Sequence, residues 1–172
     1  MDEKVFWAIN RMSGRSSLLD KLMVLISNKI RYLYIFILII MWFKKRTYKK
    51  TVIDAVISAC ITLIINILIK FFYFKPRPFI RRRVGILLPS KKDSSFPSKH
   101  TLLVFAISTT FFFYQRVLGS IILGVSFLTG LSRIWVGHHY PSDIIGSAIL
   151  GSFTSLFIHK FSPYQNLKIP EK

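Results

Sequence analysis

The chain has 172 residues, room for one domain and too little for two ordinary ones. It is 52% hydrophobic and 15% aromatic with a formal net charge of +18, and its apolar residues fall in long blocks, which argues against a soluble core. The basic residues fill the gaps between those blocks, in KKRTYKK at 44–50 and KPRPFIRRR at 75–83; that pattern suits anionic headgroups and phosphorylated ligands and excludes a nucleic-acid groove.

In chain order, the start MDEKVFWAIN is charged and weakly apolar. It does not read as a secretory signal, so the chain is expected to insert through its own spans. Residues 17–28 (SLLDKLMVLISN) alternate apolar and polar faces and either lie in the interface or extend the first span. The blocks 32–43, 52–74, 101–114, 117–131 and 144–158 read as bilayer helices. Only 52–74 clearly reaches the roughly 20 residues a span needs. The others recruit flanking polar residues, which a bundle tolerates where they face inward. Spans are therefore predicted at about 31–43, 52–74, 98–114, 117–137 and 143–160. The fold class is all-α: a polytopic membrane helix bundle with about five transmembrane helices and an N-terminal interfacial helix, in a single domain over residues 1–172. Cys60 is the sole cysteine, in the middle of the second span, so neither a disulfide framework nor a thiolate metal site is expected.

The short loop 44–50 carries five Lys or Arg, the mark of a cytoplasmic loop, which puts 75–97 and 132–142 together on the outer face. The segment 75–97 itself carries seven basic residues, a conflict that eases if several of them bind substrate.

Three polar clusters punctuate the apolar blocks. In the first, Lys70 lies near the end of a span one turn after Asn66, so the two share a face. A lysine there commonly just snorkels to the interface. Pro76 and Pro78 then hold Arg77 on a stiff extended stretch, which suits a guanidinium gripping phosphate oxygens. The second cluster, Pro97-Ser98-Lys99-His100, opens the third block. Ser98 reads as an ordinary helix N-cap, yet a helix start is also a ready anion site, with His100 in its first turn. The third is SRIWVGHHYPSD at 132–143. Pro141 fits the first position of the last helix. His139 and Asp143 are four apart, so the carboxylate is expected to reach one ring nitrogen and leave the other basic and aimed outward. His138 is five from Asp143 and should point elsewhere. Arg133, near the end of a span, needs an anion as partner. A zinc site built from His100, His139 and Asp143, with His138 as a further candidate ligand, is the rival reading. Lys70, Arg77 and Arg133 would crowd a dication, so a metal-free, cofactor-free site is expected.

In order, Lys70 with Arg77-Pro78, Pro97-Ser98-Lys99-His100, and Ser132-Arg133 with His139 and Asp143 match K-x6-R-P, P-S-x-H and S-R-x5-H-x3-D. The chain thereby resembles the type 2 phosphatidic acid phosphatase superfamily of membrane lipid phosphatases, over residues 70–143. Within it, YFKPRPF, SFPSKH and TGLSRIWVGHHYPSD look most like the undecaprenyl-diphosphate phosphatases of the bacitracin-resistance type. The resemblance implies a metal-independent hydrolase in the cell membrane, acting at its extracytoplasmic face on a polyisoprenyl diphosphate. It implies His139 as nucleophile forming a phosphohistidine, Asp143 as its orienter, and His100 as proton donor to the leaving oxygen. Lys70, Arg77, Ser98, Ser132 and Arg133 would hold phosphoryl oxygens. The alternatives are a phosphatidylglycerophosphate or broad lipid phosphatase, and a non-catalytic lipid-binding scaffold. Arg81, Arg82 and Arg83 are assigned to headgroup contact.

Overall fold

The computed structural model describes residues 2–81, 84–85, 87–89 and 93–162. Its helices are α1 (Asp2–Asn10), α2 (Ser17–Lys44), α3 (Arg46–Phe72), α4 (Pro78–Arg81), α5 (Lys99–Tyr114), α6 (Arg116–Trp135) and α7 (Pro141–Phe161). Among the described residues there is no strand.

The long helices turn small and polar residues inward and large apolar residues outward. On α3, Thr51, Ala55, Ser58, Thr62 and Asn66 are buried, while Ile64, Ile67, Leu68 and Phe71 are exposed. On α7, Asp143, Ser147, Gly151 and Ser155 form a buried strip at four-residue spacing, and Ile145, Ile149 and Phe153 face out. This inverts the pattern of a soluble protein. Lipid tails are as apolar as leucine, so helices in a bilayer associate through close packing of small residues and through interhelical hydrogen bonds. Both are present here. Thr110 Oγ1 lies 2.8 Å from Ser155 Oγ, Thr109 Oγ1 lies 3.0 Å from Ser152 Oγ, and Ser108 Oγ lies 2.9 Å from Ser126 Oγ. Tyr34 on α2 donates to the Ile122 carbonyl at 2.7 Å.

Helix α5 is the centre of the bundle, packed on α7, α6 and α3. Helices α2, α3, α6 and α7 are long and apolar enough to cross a membrane. With 16 residues α5 is shorter than that, and ten of them are buried. It is enclosed by its neighbours and meets little lipid, which is how a bundle accommodates a short polar-flanked helix. The protein is a multi-pass membrane protein.

Residues 17–28 extend the first span: α2 is continuous for 28 residues, or about 42 Å, longer than a hydrocarbon core of about 30 Å. Its first turns rise alongside the end of α6, where Trp135 Nε1 donates to Asp20 at 2.8 Å. The separate N-terminal helix is α1, at residues 2–10, ahead of the stretch in which an interfacial helix was expected. It packs on α6 and α7, with Phe6 against the Tyr140 ring at 5.5 Å and Asn10 Nδ2 donating to Trp135 O at 2.9 Å.

The bundle depends on close approach at Gly151, where a Cβ would stand 2.5 Å from the Leu102 carbonyl of α5. Gly124 on α6 has nothing within 4 Å of the equivalent point. Gly151→Ala is expected to destabilise the protein by about 1–3 kcal/mol through overpacking, and Gly124→Ala to leave it unchanged. Thermal unfolding in detergent distinguishes the two; equal midpoints would mean that the α5–α7 crossing is loose.

Candidate active site

The α6–α7 junction shows how the sequence places its histidines. Gly137, at φ 79°, ends α6 in the left-handed conformation. The Gly137 N–H bonds Ile134 O and the His138 N–H bonds Arg133 O, both at 3.0 Å. That paired closure is the usual glycine C-terminal cap, and Asn10 takes the remaining carbonyl, that of Trp135. Pro141 then starts α7, its missing N–H costing nothing at that position. His138 and His139 are held between two fixed helix ends.

His139 is 2% exposed. Its Nδ1 donates to the Ser95 carbonyl at 2.7 Å, which fixes the proton on Nδ1 and leaves Nε2 with a lone pair. Nε2 lies 3.4 Å from Nη1 of Arg77. Burial, followed by the charges of Arg133, Arg77 and His138, holds the His139 imidazole well below its ordinary pKa of 6.5. The same causes, burial and then Arg133, push His138 down to about 4. His138 is an anchor: Nε2 donates to Leu88 O at 2.8 Å, and its own carbonyl accepts from Arg77 at 3.2 Å.

Asp143 does not make the direct bond that the four-residue spacing suggests. Its Oδ2 is 3.9 Å from His139 Nδ1, because the Ser95 carbonyl takes the ring proton. The carboxylate instead accepts from the Tyr140 N–H at 2.9 Å, from the Ser95 hydroxyl in a short bond, and from Lys75 Nζ at 2.6 Å. Asp143 therefore connects to the histidine through Ser95, whose hydroxyl it binds and whose carbonyl accepts the ring proton.

One cavity of about 460 Å³ opens in front of this histidine, and Lys70, Arg77, His100, Arg133 and His139 line it. The three cations come from α3, the following loop and α6. Arg133 is 6% exposed; Nη1 donates to Ser27 at 2.7 Å, and Nε has no partner among the described residues. A buried guanidinium on a cavity wall suits an anion, whose charge offsets the cost of burying it. Lys70 and Arg77 are held by Asp93: Lys70 Nζ at 2.9 Å from Oδ2, and Arg77 Nη2 and Nε at 2.7 and 3.1 Å from Oδ1. Burial opposes the Asp93 charge, but the Lys70 hydrogen bond and the charges of Arg77 and Lys70 outweigh it, leaving the carboxyl below its ordinary range. Its two oxygens occupy donors of both cations. Asn66 Nδ2 donates to Pro97 O at 3.1 Å, so the shared α3 face of Asn66 and Lys70 grips the 93–97 segment at two points.

Ser98 and Ser132 do not line the cavity. The Ser132 hydroxyl donates to Thr129 O on its own helix at 2.7 Å. Ser98 heads α5 without a side-chain cap; its Oγ accepts from Thr101 at 3.1 Å and its N–H donates to Ser147 at 2.7 Å. Arg82 and Arg83 and the side chain of Arg81 lie outside the described residues. Asp93, Ser95 and Lys75 are additions that the spacing did not single out, although Asp93 and Ser95 stand in the DSSFPSKH run just before His100. Among the described residues no three His, Cys, Asp or Glu side chains converge as metal ligands.

Comparison with known proteins follows the same residues. The PAP2 superfamily matches residues 51–167. The chain is 40% identical to the undecaprenyl-diphosphatase BcrC of Bacillus subtilis (strain 168), over 94% of this chain and 84% of that protein. It is 30% identical to the bacitracin transport permease protein BcrC of Bacillus licheniformis, over 97% and 86%. Among solved structures, Aquifex aeolicus LpxE aligns with a TM-score of 0.80 at 28% identity, covering 93% of this chain and 95% of that one. The Bacillus subtilis PAP2-type phosphatidylglycerolphosphate phosphatase shares the fold with a TM-score of 0.71 at 18% identity, over 97% and 89%. With the match spanning most of the chain and holding all three motifs, the protein belongs to the PAP2 superfamily.

Proposed function

We propose that the protein hydrolyses a polyisoprenyl diphosphate, undecaprenyl diphosphate first among them, to the monophosphate and inorganic phosphate. The observation that carries this reading is the set of three cations around the lone-pair nitrogen of His139, in a chain 40% identical to an undecaprenyl-diphosphatase. His139 Nε2 attacks the terminal phosphorus. The bond from that phosphorus to the bridging oxygen breaks, and the electron pair leaves with the lipid monophosphate. His100, on the same cavity wall, gives the bridging oxygen a proton, a contribution of about 10²–10⁴-fold for a well-placed acid. Water then attacks the phosphohistidine, with His100 accepting its proton, and phosphate departs. Phosphoryl transfer calls chiefly for positioning and for stabilising spread negative charge. Lys70, Arg77 and Arg133 supply the charge, once substrate oxygens replace Asp93 on the first two. Ser98 and Ser132, turned to other partners here, join the phosphate only if their hydroxyls rotate.

The site is proposed to face the extracytoplasmic side. The basic turn around Lys45 joins the far ends of α2 and α3, while Lys70, at the other end of α3, reaches the site. Lys75 and Arg77 are engaged by Asp143 and Asp93, so two of the charges that made 75–97 look cytoplasmic belong to the site.

Phosphate release by the detergent-solubilised protein in EDTA is expected to show kcat/KM for undecaprenyl diphosphate at least about tenfold above that for phosphatidylglycerophosphate. The reverse order would move the protein to another lipid pathway, and silence relieved by a divalent cation would overturn the histidine mechanism. For sidedness, Ser142→Cys in a Cys60→Ser background should react with a membrane-impermeant maleimide on intact cells, and Lys49→Cys only after lysis. The opposite pattern would invert the topology.

A further inference from the structure

The active-site cavity has an apolar continuation. A second cavity of about 450 Å³, lined by Tyr34, Leu38, Leu63, Leu103 and Ile107 among others, runs between α2, α3 and α5. The two cavities share Arg31, Lys99 and His100. The junction of the polar and apolar spaces is therefore a ring of one histidine and two cations. Neither cation belongs to the matched motifs: Arg31 is on α2, and Lys99 holds the unspecified position between Ser98 and His100.

Their partners set them apart from Lys70, Arg77 and Lys75. Lys70 and Arg77 share Asp93, and Lys75 has Asp143. Among the described residues no carboxylate lies within ion-pair distance of Arg31 or Lys99. Among the described residues the polar partner of Arg31 is its neighbour Tyr32, at 3.3 Å from the hydroxyl and 5.0 Å over the ring. Arg31 is exposed and stands four residues down α2 from Ser27, the partner of Arg133, so about 6 Å further along the helix from the site end. An arginine at that position is expensive unless it faces water or an anion.

We propose that Arg31 and Lys99 form a second phosphate subsite, which holds the lipid-linked phosphate of a diphosphate substrate and selects diphosphate over monophosphate lipids. The inference rests on the proposed hydrolase reading and adds the headgroup class. With the terminal phosphorus at His139 and the bridging oxygen at His100, the next group toward the apolar cavity is the lipid-linked phosphate. The lipid-linked phosphate carries negative charge before cleavage and, with the electron pair of the broken bond matched by the proton from His100, still carries it as it leaves. When the leaving group is a lipid alcohol, the proton from His100 neutralises the oxygen and no charge remains for the two cations to meet. Their stabilisation is therefore available to the transition state for a diphosphate and not to that for a monophosphate, which is selectivity in kcat/KM.

The test compares the full-length Arg31→Gln/Lys99→Gln variant with the parent on two pairs of lipids: geranylgeranyl diphosphate with geranylgeranyl monophosphate, and diacylglycerol diphosphate with phosphatidic acid. The diphosphate-to-monophosphate ratio of kcat/KM is expected to fall at least about tenfold in each pair that the parent hydrolyses. Lys99→Gln alone, at an exposed position in the first turn of α5, should show part of the fall, and Arg31→Lys should retain most of the ratio. An unchanged ratio, or an equal loss on both members of a pair, overturns the subsite. If the parent ignores the isoprenoids but the ratio falls for the glycerolipids, the subsite stands and the isoprenoid reading fails. If the parent prefers isoprenoids and the ratio is unmoved, the reading stands and the subsite fails.

Discussion

The structure turns on positive charge gathered where a helix bundle meets water. Arg133 is buried, Arg77 lies beside Nε2 of His139, and Lys70 closes the ring. Among the described residues that line the cavity, only Asp93 opposes them. Unpaired buried charge is costly, and the cost is lifted by whatever anion enters. An electrostatic debt of this kind favours phosphoryl groups, and in the transition state it favours them most, because charge then spreads over more oxygens. Burial first, and then the charges of Arg133 and Arg77, lower the His139 pKa, in keeping with the nucleophilic role proposed for Nε2.

Holding like charges together requires a frame that does not relax away from them. The frame is a bundle knitted by small residues: the Ser147–Gly151–Ser155 strip of α7 against α5, and the Ser108–Ser126 contact between α5 and α6. Each bond is worth well under about 1 kcal/mol on average in a membrane, yet together they fix the ends of α5, α6 and α7, from which His100, Arg133 and His139 project. Helix α1 closes the same end from outside, with Asp2 accepting from the Ser142 N–H at 2.9 Å.

The sequence made legible whatever depended on local spacing or bulk hydropathy. The spans after the second loop lie near their expected bounds, since apolar blocks mark them, and Gly137 and Pro141 punctuate the histidine turn as their chemistry requires. His100, His139, Lys70, Arg77 and Arg133 share a cavity because each sits at a helix end on one side of the bundle. What escaped depends on distant partners. Four-residue spacing put Asp143 near His139 but could not show Ser95, 44 residues upstream, taking the ring proton first. Ser98 and Ser132 belong to a matched motif, yet helix geometry offers them nearer partners in Thr101 and Thr129. Residues 17–28 looked interfacial because their polar face is real; Asp20 and Ser27 use it to bind Trp135 and Arg133. Arg31 carried no local signal, as its meaning comes from a cavity formed by three helices.

The most direct measurement of the central claim is a trapped intermediate. The purified protein is mixed with undecaprenyl diphosphate labelled in the terminal phosphate, quenched in alkali within one turnover, and digested. The account predicts a label on the peptide carrying His139, stable to alkali and lost in acid as a phosphorus–nitrogen bond should be, and absent from His139→Ala. Phosphate release at full rate with no such label, or its persistence in His139→Ala, would contradict it and make water the direct attacker.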